Sequence, residues 1–210
     1  MLAKGSFSWI GGMLLLTAVM WYISVNLSGP ISIMFRGLLI IGFVLTLFFL
    51  VFFRDPERTP SGDEDDMVSP ADGRVISVTN RKLCIFMNIH DVHVNRAPLA
   101  GTVTQIDYKP GGYIPAFNKD SHVNERNHVV INTYYGDLEL TQIAGILTRR
   151  IVSYISEGYH IKRGERIGMI RFGSRVDVVI PEAYEFVVGL NDRVRAGETV
   201  IAVRKEKIRR

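Results

Sequence analysis

Cysteine is nearly missing from this chain. The single Cys84 among 210 residues excludes an internal disulfide framework and a cysteine-based zinc cluster, and it fits a reducing compartment. Charge is nearly missing from the first quarter. Of 25 basic and 21 acidic residues, only Lys4 and Arg36 fall within the first 53 positions, and no acidic residue precedes Asp55. A composition that is 47% hydrophobic excludes a disordered or collagen-like chain. What remains is a membrane appendage followed by a soluble domain long enough to bury a core. The net charge of +4 suits an anionic membrane surface at least as well as nucleic acid, and no nucleic-acid partner is expected.

Trp9 to Leu27 is an uncharged stretch of 19 residues and Gly37 to Phe53 is another of 17, with Ser28-Gly29-Pro30 between them as a turn. As helices these reach roughly 26–29 Å, barely the thickness of a bilayer core. A signal peptide would need a small-residue cleavage site, and none is evident before the second apolar segment begins. The expectation is a retained helical hairpin over residues 1–53, with shallow interfacial insertion as its competitor. Lys4 on one flank and Arg54 and Arg58 on the other mark the cytoplasmic side; Arg36 at the opposite turn is the single opposing charge. The tail from Arg204 to Arg210 holds five basic residues in seven, which suits either a solvated terminus or a lipid contact.

From residue 54 onward the pattern is mainly β. The acidic run Asp63-Glu64-Asp65-Asp66 reads as an exposed connector. Beyond it, short β-rich runs alternate with turn residues: Gly73–Val78, Lys82–Asn88, Gly101–Tyr108, His128–Thr133, Leu138–Ile143, Arg175–Ile180 and Thr199–Val203. Arg149 to Ser156 is open between strand and short helix. A weak repeat relates the stretch around Gly164-Glu165 to that around Gly197-Glu198, 33 residues apart. Each has a basic residue before the Gly-Glu pair and an apolar residue after it. Two copies indicate a duplicated β unit rather than a solenoid, and the turns resemble those of biotinyl/lipoyl-type barrel-sandwich domains. The fold class expected is therefore a duplicated barrel-sandwich domain over 54–210 behind the helical hairpin.

Three places hold candidate chemistry. Ser69-Pro70-Ala71-Asp72-Gly73 puts a carboxylate in a turn before a strand, although Pro-x-Asp-Gly is a good β-turn for purely structural reasons. His90 and His93 sit three apart around Asp91. That spacing would suit a metal on a helix, but Val92, Asn95 and Pro98 argue against a helix, so no metal is expected. A general acid/base or phosphate-binding role and a solvated pair both remain open there. Gly173-Ser174 precedes a strand without forming a Gly-x-Ser-x-Gly nucleophile elbow.

Five segments occur in a telling order: Phe53-Arg54-Asp55-Pro56-Glu57-Arg58, Ser69 to Gly73, His90 to Pro98, Asn124-Glu125-Arg126-Asn127 and Phe172-Gly173-Ser174-Arg175. Together they resemble the motifs of the phosphatidylserine decarboxylase proenzymes, over about residues 50 to 203. The closer resemblance is to the short bacterial and archaeal branch, which includes the archaetidylserine decarboxylases. Many members carry Leu-Gly-Ser-Thr at the last motif; here Arg175 stands in place of Thr.

The resemblance implies a proenzyme that cuts itself between Gly173 and Ser174 into chains 1–173 and 174–210. Ser174 would be left as a covalent pyruvoyl cofactor, and no pyridoxal phosphate is expected. It assigns His93 as the base for Ser174 and Asp72 as the partner of that base. The pyruvoyl carbonyl would form a Schiff base with the serine amine of a membrane phospholipid and accept electrons as CO2 departs. His90 would return a proton or contact the lipid phosphate; nothing in the sequence separates the two histidines. Arg96, Arg126, Arg149 and Arg150 are candidate phosphate contacts.

The implied partners are the lipid substrate, the protein's own two chains as a heterodimer, and a possible homo-oligomer. The implied location is the cell membrane, with the catalytic domain on its cytoplasmic face. Two rivals compete. A membrane-anchored lipoyl-like adaptor, as in efflux-pump fusion proteins, would require long heptad helices that this sequence lacks. A membrane serine peptidase would place its active domain outside the cytoplasm, against the flanking charges.

Overall fold

The computed structural model describes residues 1–111, 124–145, 151–171 and 174–208, which form two compact units divided after Pro56. In the first, α1 (Phe7–Asn26) and α2 (Gly29–Phe52) are each long and apolar enough to cross a bilayer. The second helix starts eight residues earlier than the uncharged stretch suggests and takes in Arg36. Pro30 is the reason. In the first turn its missing N–H is not needed and its fixed φ suits a helix, so it opens α2 instead of interrupting the chain.

Small and hydroxylated residues face inward between the two helices. Gly42 approaches so closely that a Cβ there would lie 2.8 Å from Thr17 Oγ1. Ser32 Oγ donates to the Ser24 carbonyl at 2.9 Å, while large side chains such as Leu15, Ile33 and Ile40 point outward. Apolar outside and small inside is the arrangement expected in lipid, where close backbone approach rather than hydrophobic burial holds helices together.

The second unit is antiparallel β among the described residues. Strand order in its largest sheet is β13 (Arg193–Val194), β2 (Gly73–Val78), β3 (Lys82–Met87), β11 (Ser174–Val179), β7 (Gly136–Ile143), β6 (Arg126–Thr133), β5 (Gly101–Lys109) and β9 (His160–Ile161). Two three-stranded sheets complete it: β1 (Met67–Val68), β14 (Val200–Arg204) and β12 (Tyr184–Phe186); then β4 (Val94–Arg96), β10 (Arg166–Ile170) and β8 (Ile151–Ser153). The part of the open segment 149–156 that is described is thus largely strand. Inward positions alternate along the strands: Val75, Ile85, Met87, Leu138, Leu140, Val176 and Val178 are all fully buried.

The repeat seen around Gly164 and Gly197 brings two turns face to face. Both glycines have positive φ, 76° and 72°, which only glycine adopts freely. A Cβ on either would lie within 3.7 Å of the other's carbonyl oxygen. Each turn is laced to its own partner segment. Gly197 N–H donates to the Ser69 carbonyl at 2.7 Å, and Gly164 N–H to the Ala97 carbonyl at 2.8 Å. Those partner segments are themselves a repeat that the sequence reading overlooked, Pro70-x-x-Gly73-x-Val75 and Pro98-x-x-Gly101-x-Val103. Both glycines pass hard against a neighbouring strand, where a Cβ would meet Phe86 O at 2.1 Å and Asn132 O at 2.5 Å.

The acidic run is exposed at Asp63 and Glu64, as expected of a connector, but Asp65 is half-buried and Asp66 buried. Lys207 Nζ, in the short helix α3 (Lys205–Ile208), lies 3.0, 2.7 and 2.6 Å from carboxylate oxygens of Asp63, Asp65 and Asp66, and Arg204 also pairs with Asp65. Arg204 and Lys207 of the basic tail are therefore engaged within the protein. The hydrogen bond from Lys207, reinforced by Arg204, holds Asp65 below its ordinary carboxylate value. A lowered carboxylate stabilises the fold above its unfolded-state value, near pH 4, and loses that contribution as pH falls further. Lys207→Ala should therefore cost about 1 kcal/mol near neutrality and progressively less as the pH falls below about 4, read as paired denaturation midpoints.

Candidate active site

Ser174 opens β11, the strand flanked by β3 and β7. Alternation along β11 turns Ser174, Val176 and Val178 inward and Arg175 and Asp177 outward. Ser174 is fully buried, and its hydroxyl donates to Met87 Sδ at 3.5 Å. Arg175 grips Asp177 with two nitrogens, at 2.8 and 3.1 Å. Cys84 lies opposite Asp177; burial, reinforced by that carboxylate, pushes its thiol up to about 12, so it supplies no nucleophile near neutrality. Gly173, Arg149 and Arg150 lie outside the described residues.

The two histidines differ in their surroundings. Asn88 to Asp91 form a tight turn, closed by the Asn88 N–H donating to Asp91 Oδ2 at 2.7 Å. His90 stands on this turn with its side chain 58% exposed, and its Nε2 lies 3.8 Å from Asp91 Oδ1. His93 is buried. Its Nδ1 lies 2.9 Å from the Asp91 carbonyl oxygen. A carbonyl can only accept, so Nδ1 carries the proton, and in the neutral ring Nε2 is left with the basic lone pair. The His93 carbonyl accepts from Ile170 N–H at 3.2 Å, four residues ahead of Ser174.

Asp72 is buried at the rim of a 550 Å³ cleft that also takes in Asp91, Arg193, Arg195 and Glu198. Both its oxygens accept from the Arg58 guanidinium. Oδ1 also accepts from Ala196 N–H at 2.8 Å, and Oδ2 from Val92 N–H at 3.4 Å. Its link to the His93 segment thus runs through the Val92 backbone, while the ring's Nδ1 is oriented by the Asp91 carbonyl. Arg58, read from the sequence as a membrane-flanking charge, is instead a buried partner of Asp72, which leaves Lys4 and Arg54 as the flank.

Of the remaining candidates, Arg96 is buried and donates to the Gly164 carbonyl at 3.0 Å, between the facing turns. Arg126 is half-buried at the head of β6. Within the last-but-one motif, Glu125 is buried and accepts from the Tyr108 hydroxyl at 2.9 Å and from Ile151 N–H at 3.0 Å.

Sequence reasoning missed a chain of buried amides. Asn127 donates to Gln142 at 3.0 Å, Gln142 donates to Asn95 at 2.8 Å, and Asn95 reaches Met87 Sδ at 3.6 Å, the same sulfur that Ser174 meets. Its signal was present in β7, where Leu138, Leu140 and Gln142 occupy successive inward positions. A glutamine in the third of these must be hydrogen-bonded.

The sequence model described as phosphatidylserine decarboxylase matches residues 45–202. The chain belongs to that family. Several relatives match over nearly the full length of both chains. A protein of Methanococcoides burtonii, provisionally named an archaetidylserine decarboxylase proenzyme, is 49% identical over the whole of both chains. One of Archaeoglobus fulgidus with the same provisional name is 43% identical over 98% of this chain and 97% of its own. A phosphatidylserine decarboxylase proenzyme of Streptomyces griseus is 50% identical over 72% of each. Membership in a family of decarboxylases makes this chain an enzyme and sets aside the adaptor and the peptidase.

Proposed function

We propose that this family member is a self-cutting proenzyme that, once matured, decarboxylates the phosphoserine headgroup of a membrane phospholipid to phosphoethanolamine. The observation that carries this reading is the buried Ser174 at the head of β11, in a chain that belongs to the phosphatidylserine decarboxylase family. Serine is a weak nucleophile without a base to take its proton. In the proposed step, His93 Nε2 takes that proton and Oγ attacks the Gly173 carbonyl, replacing the amide with an ester. Elimination then frees residues 1–173 with a terminal carboxylate, and water releases ammonia from residue 174 to leave a keto group.

The surroundings of residue 174 suit such a group. It is shielded from solvent and beside Met87, whose sulfur the Asn95 amide also reaches. A pyruvoyl group supplies an electron sink for the bond broken as CO2 leaves. His93 is buried, as Ser174 is, which supports reading it as the base. The exposed His90 and the cleft near Asp72 and Asp91 suit contact with an incoming headgroup. Arg96 is buried and Arg126 only half-buried, which favours Arg126 as the phosphate contact of the two candidates described.

The facing Gly-Glu turns and the paired Pro-x-x-Gly segments support reading the duplicated β unit as a biotinyl/lipoyl-like barrel-sandwich. The apolar helices and the Lys4 and Arg54 flank support a membrane-held enzyme facing the cytoplasm. Intact-mass measurement of the purified chain tests the proposal. The expected result is two pieces, the smaller of 37 residues starting with a pyruvoyl group that reacts with carbonyl reagents. An active single chain, or an active small piece starting with unmodified serine, would sink it. Assays with diacyl phosphatidylserine and with the archaeal ether lipid then assign the substrate.

A further inference from the structure

The strand register sets a row of cations across the large sheet. Along one rung, Arg193 of β13 lies opposite Arg74 of β2, and Arg74 opposite Phe86 of β3. Phe86 faces Arg175, Arg175 faces Ile143, Ile143 faces Arg126, and Arg126 faces Lys109. Residues directly opposite in an antiparallel ladder project from the same face. Five of these seven positions are cationic and none is acidic. Because Arg175 follows Ser174, the row lies on the face opposite Ser174 at the end where β11 begins. Ile143 and Arg175 in its middle are largely covered, and Arg74, Arg193 and Lys109 at its ends are exposed.

Two of the cations have local counter-charges, Arg175 with Asp177 and Lys109 with Asp107 at 2.9 Å. Arg74 and Arg193 have no ion pair among the described residues, are exposed, and stand directly opposite each other. Like charges in that position destabilise a sheet. The pairing is accounted for if an external anion sits over it. With strands about 4.8 Å apart, seven of them spread the row over roughly 29 Å, longer than one small anion fills and suited to a field of headgroups. The chain's own apolar helices are long enough to cross such a bilayer.

We propose that this row, and its Arg74–Arg193 end above all, is a docking surface for the anionic headgroups of a bilayer, with lipid phosphate oxygens accepting from the guanidiniums. It rests on the membrane reading above and not on the decarboxylation chemistry. The test uses the full chain in lipid nanodiscs, of phosphatidylcholine alone or mixed with phosphatidylglycerol, modified with an arginine-specific dicarbonyl reagent and read residue by residue by peptide mass spectrometry.

In the mixed discs, Arg74 and Arg193 should react about fivefold more slowly than in the neutral discs, and high salt should remove the difference. Arg81, in the turn at the other end of β2 and β3 with its side chain 50% exposed, should react alike in both. Three results overturn the proposal: equal reactivity of Arg74 and Arg193 in the two discs, equal protection of Arg81, or the same protection by inorganic phosphate in neutral discs, which would mark a small-anion site. The readout is independent of self-cutting and of catalysis, so failure of either leaves it intact.

Discussion

Ser174→Ala should yield one uncut chain of 210 residues with no decarboxylase activity and an undisturbed fold. Alanine has no hydroxyl to attack Gly173 and cannot be converted to a keto acid, so both steps fail together. The fold should survive because the hydroxyl's partner is a thioether, a weak acceptor, and the strand's backbone pairing does not depend on the side chain. Electrophoresis, intact mass and a lipid assay on one preparation check all three statements. A cut or an active Ser174→Ala protein would remove Ser174 from the mechanism.

The second large effect concerns the acid/base pair, and here the structure changes how it must be measured. His93→Ala should slow self-cutting by about 10²–10⁴-fold, the usual contribution of a positioned base, and added imidazole should restore part of it. His90→Ala should cut normally and decarboxylate poorly. Asp72→Asn is harder to interpret alone. It takes from Arg58, whose side chain is only 6% exposed, its two-oxygen partner and leaves the looser Glu198 at 3.7 Å, and breaking a buried pair costs about 3–5 kcal/mol. Loss of cutting in that variant could follow from loss of fold.

Combining Arg58→Met with Asp72→Asn removes both charges and should recover most of the stability. If the double variant is stable yet stays uncut, Asp72 serves the reaction; if it matures at the normal rate, Asp72 is a clamp between the Arg58 segment and Ala196. Thermal midpoints measured beside cutting rates separate the two.

Local features of this protein were legible in its sequence, and long-range ones were not. Gly73, Gly101 and the alternating apolar residues after them announced strands nearly to the residue, because turn chemistry and period-two burial act over a few positions. The uncharged stretches announced a helical pair for the same reason, and the error at α2 came from reading Pro30 as a break rather than an N-terminal residue. The Lys207 cluster joins groups more than 140 positions apart, the Arg58–Asp72–Ala196 clamp spans as much of the chain, and the amide chain from Asn127 to Met87 crosses four strands. No local pattern encodes such meetings. Among the candidate residues, the motifs pointed to Ser174, His93 and Asp72. Only burial distinguished His93 from His90, and only the fold showed that Arg96 and Arg58 are already engaged.

The placement of β11 has a consequence for the order of events in the protein's life. Residues after 173 contribute β11 between β3 and β7, β13 beside β2, and β14 beside β1; within that stretch only β12 and β14 pair with each other. The two pieces of a matured molecule are therefore interleaved rather than stacked. An uncut chain folds as one body, its tail kept near its partners by the connecting backbone, which acts as an effective concentration of roughly millimolar. Once the bond before Ser174 is gone, unfolding separates the pieces, and return requires two dilute molecules to find each other. Recovery from denaturant should then depend on protein concentration for the matured enzyme and not for its uncut precursor. The proposed cut would turn a reversible folding reaction into a ratchet, and every matured molecule would carry proof that it folded first.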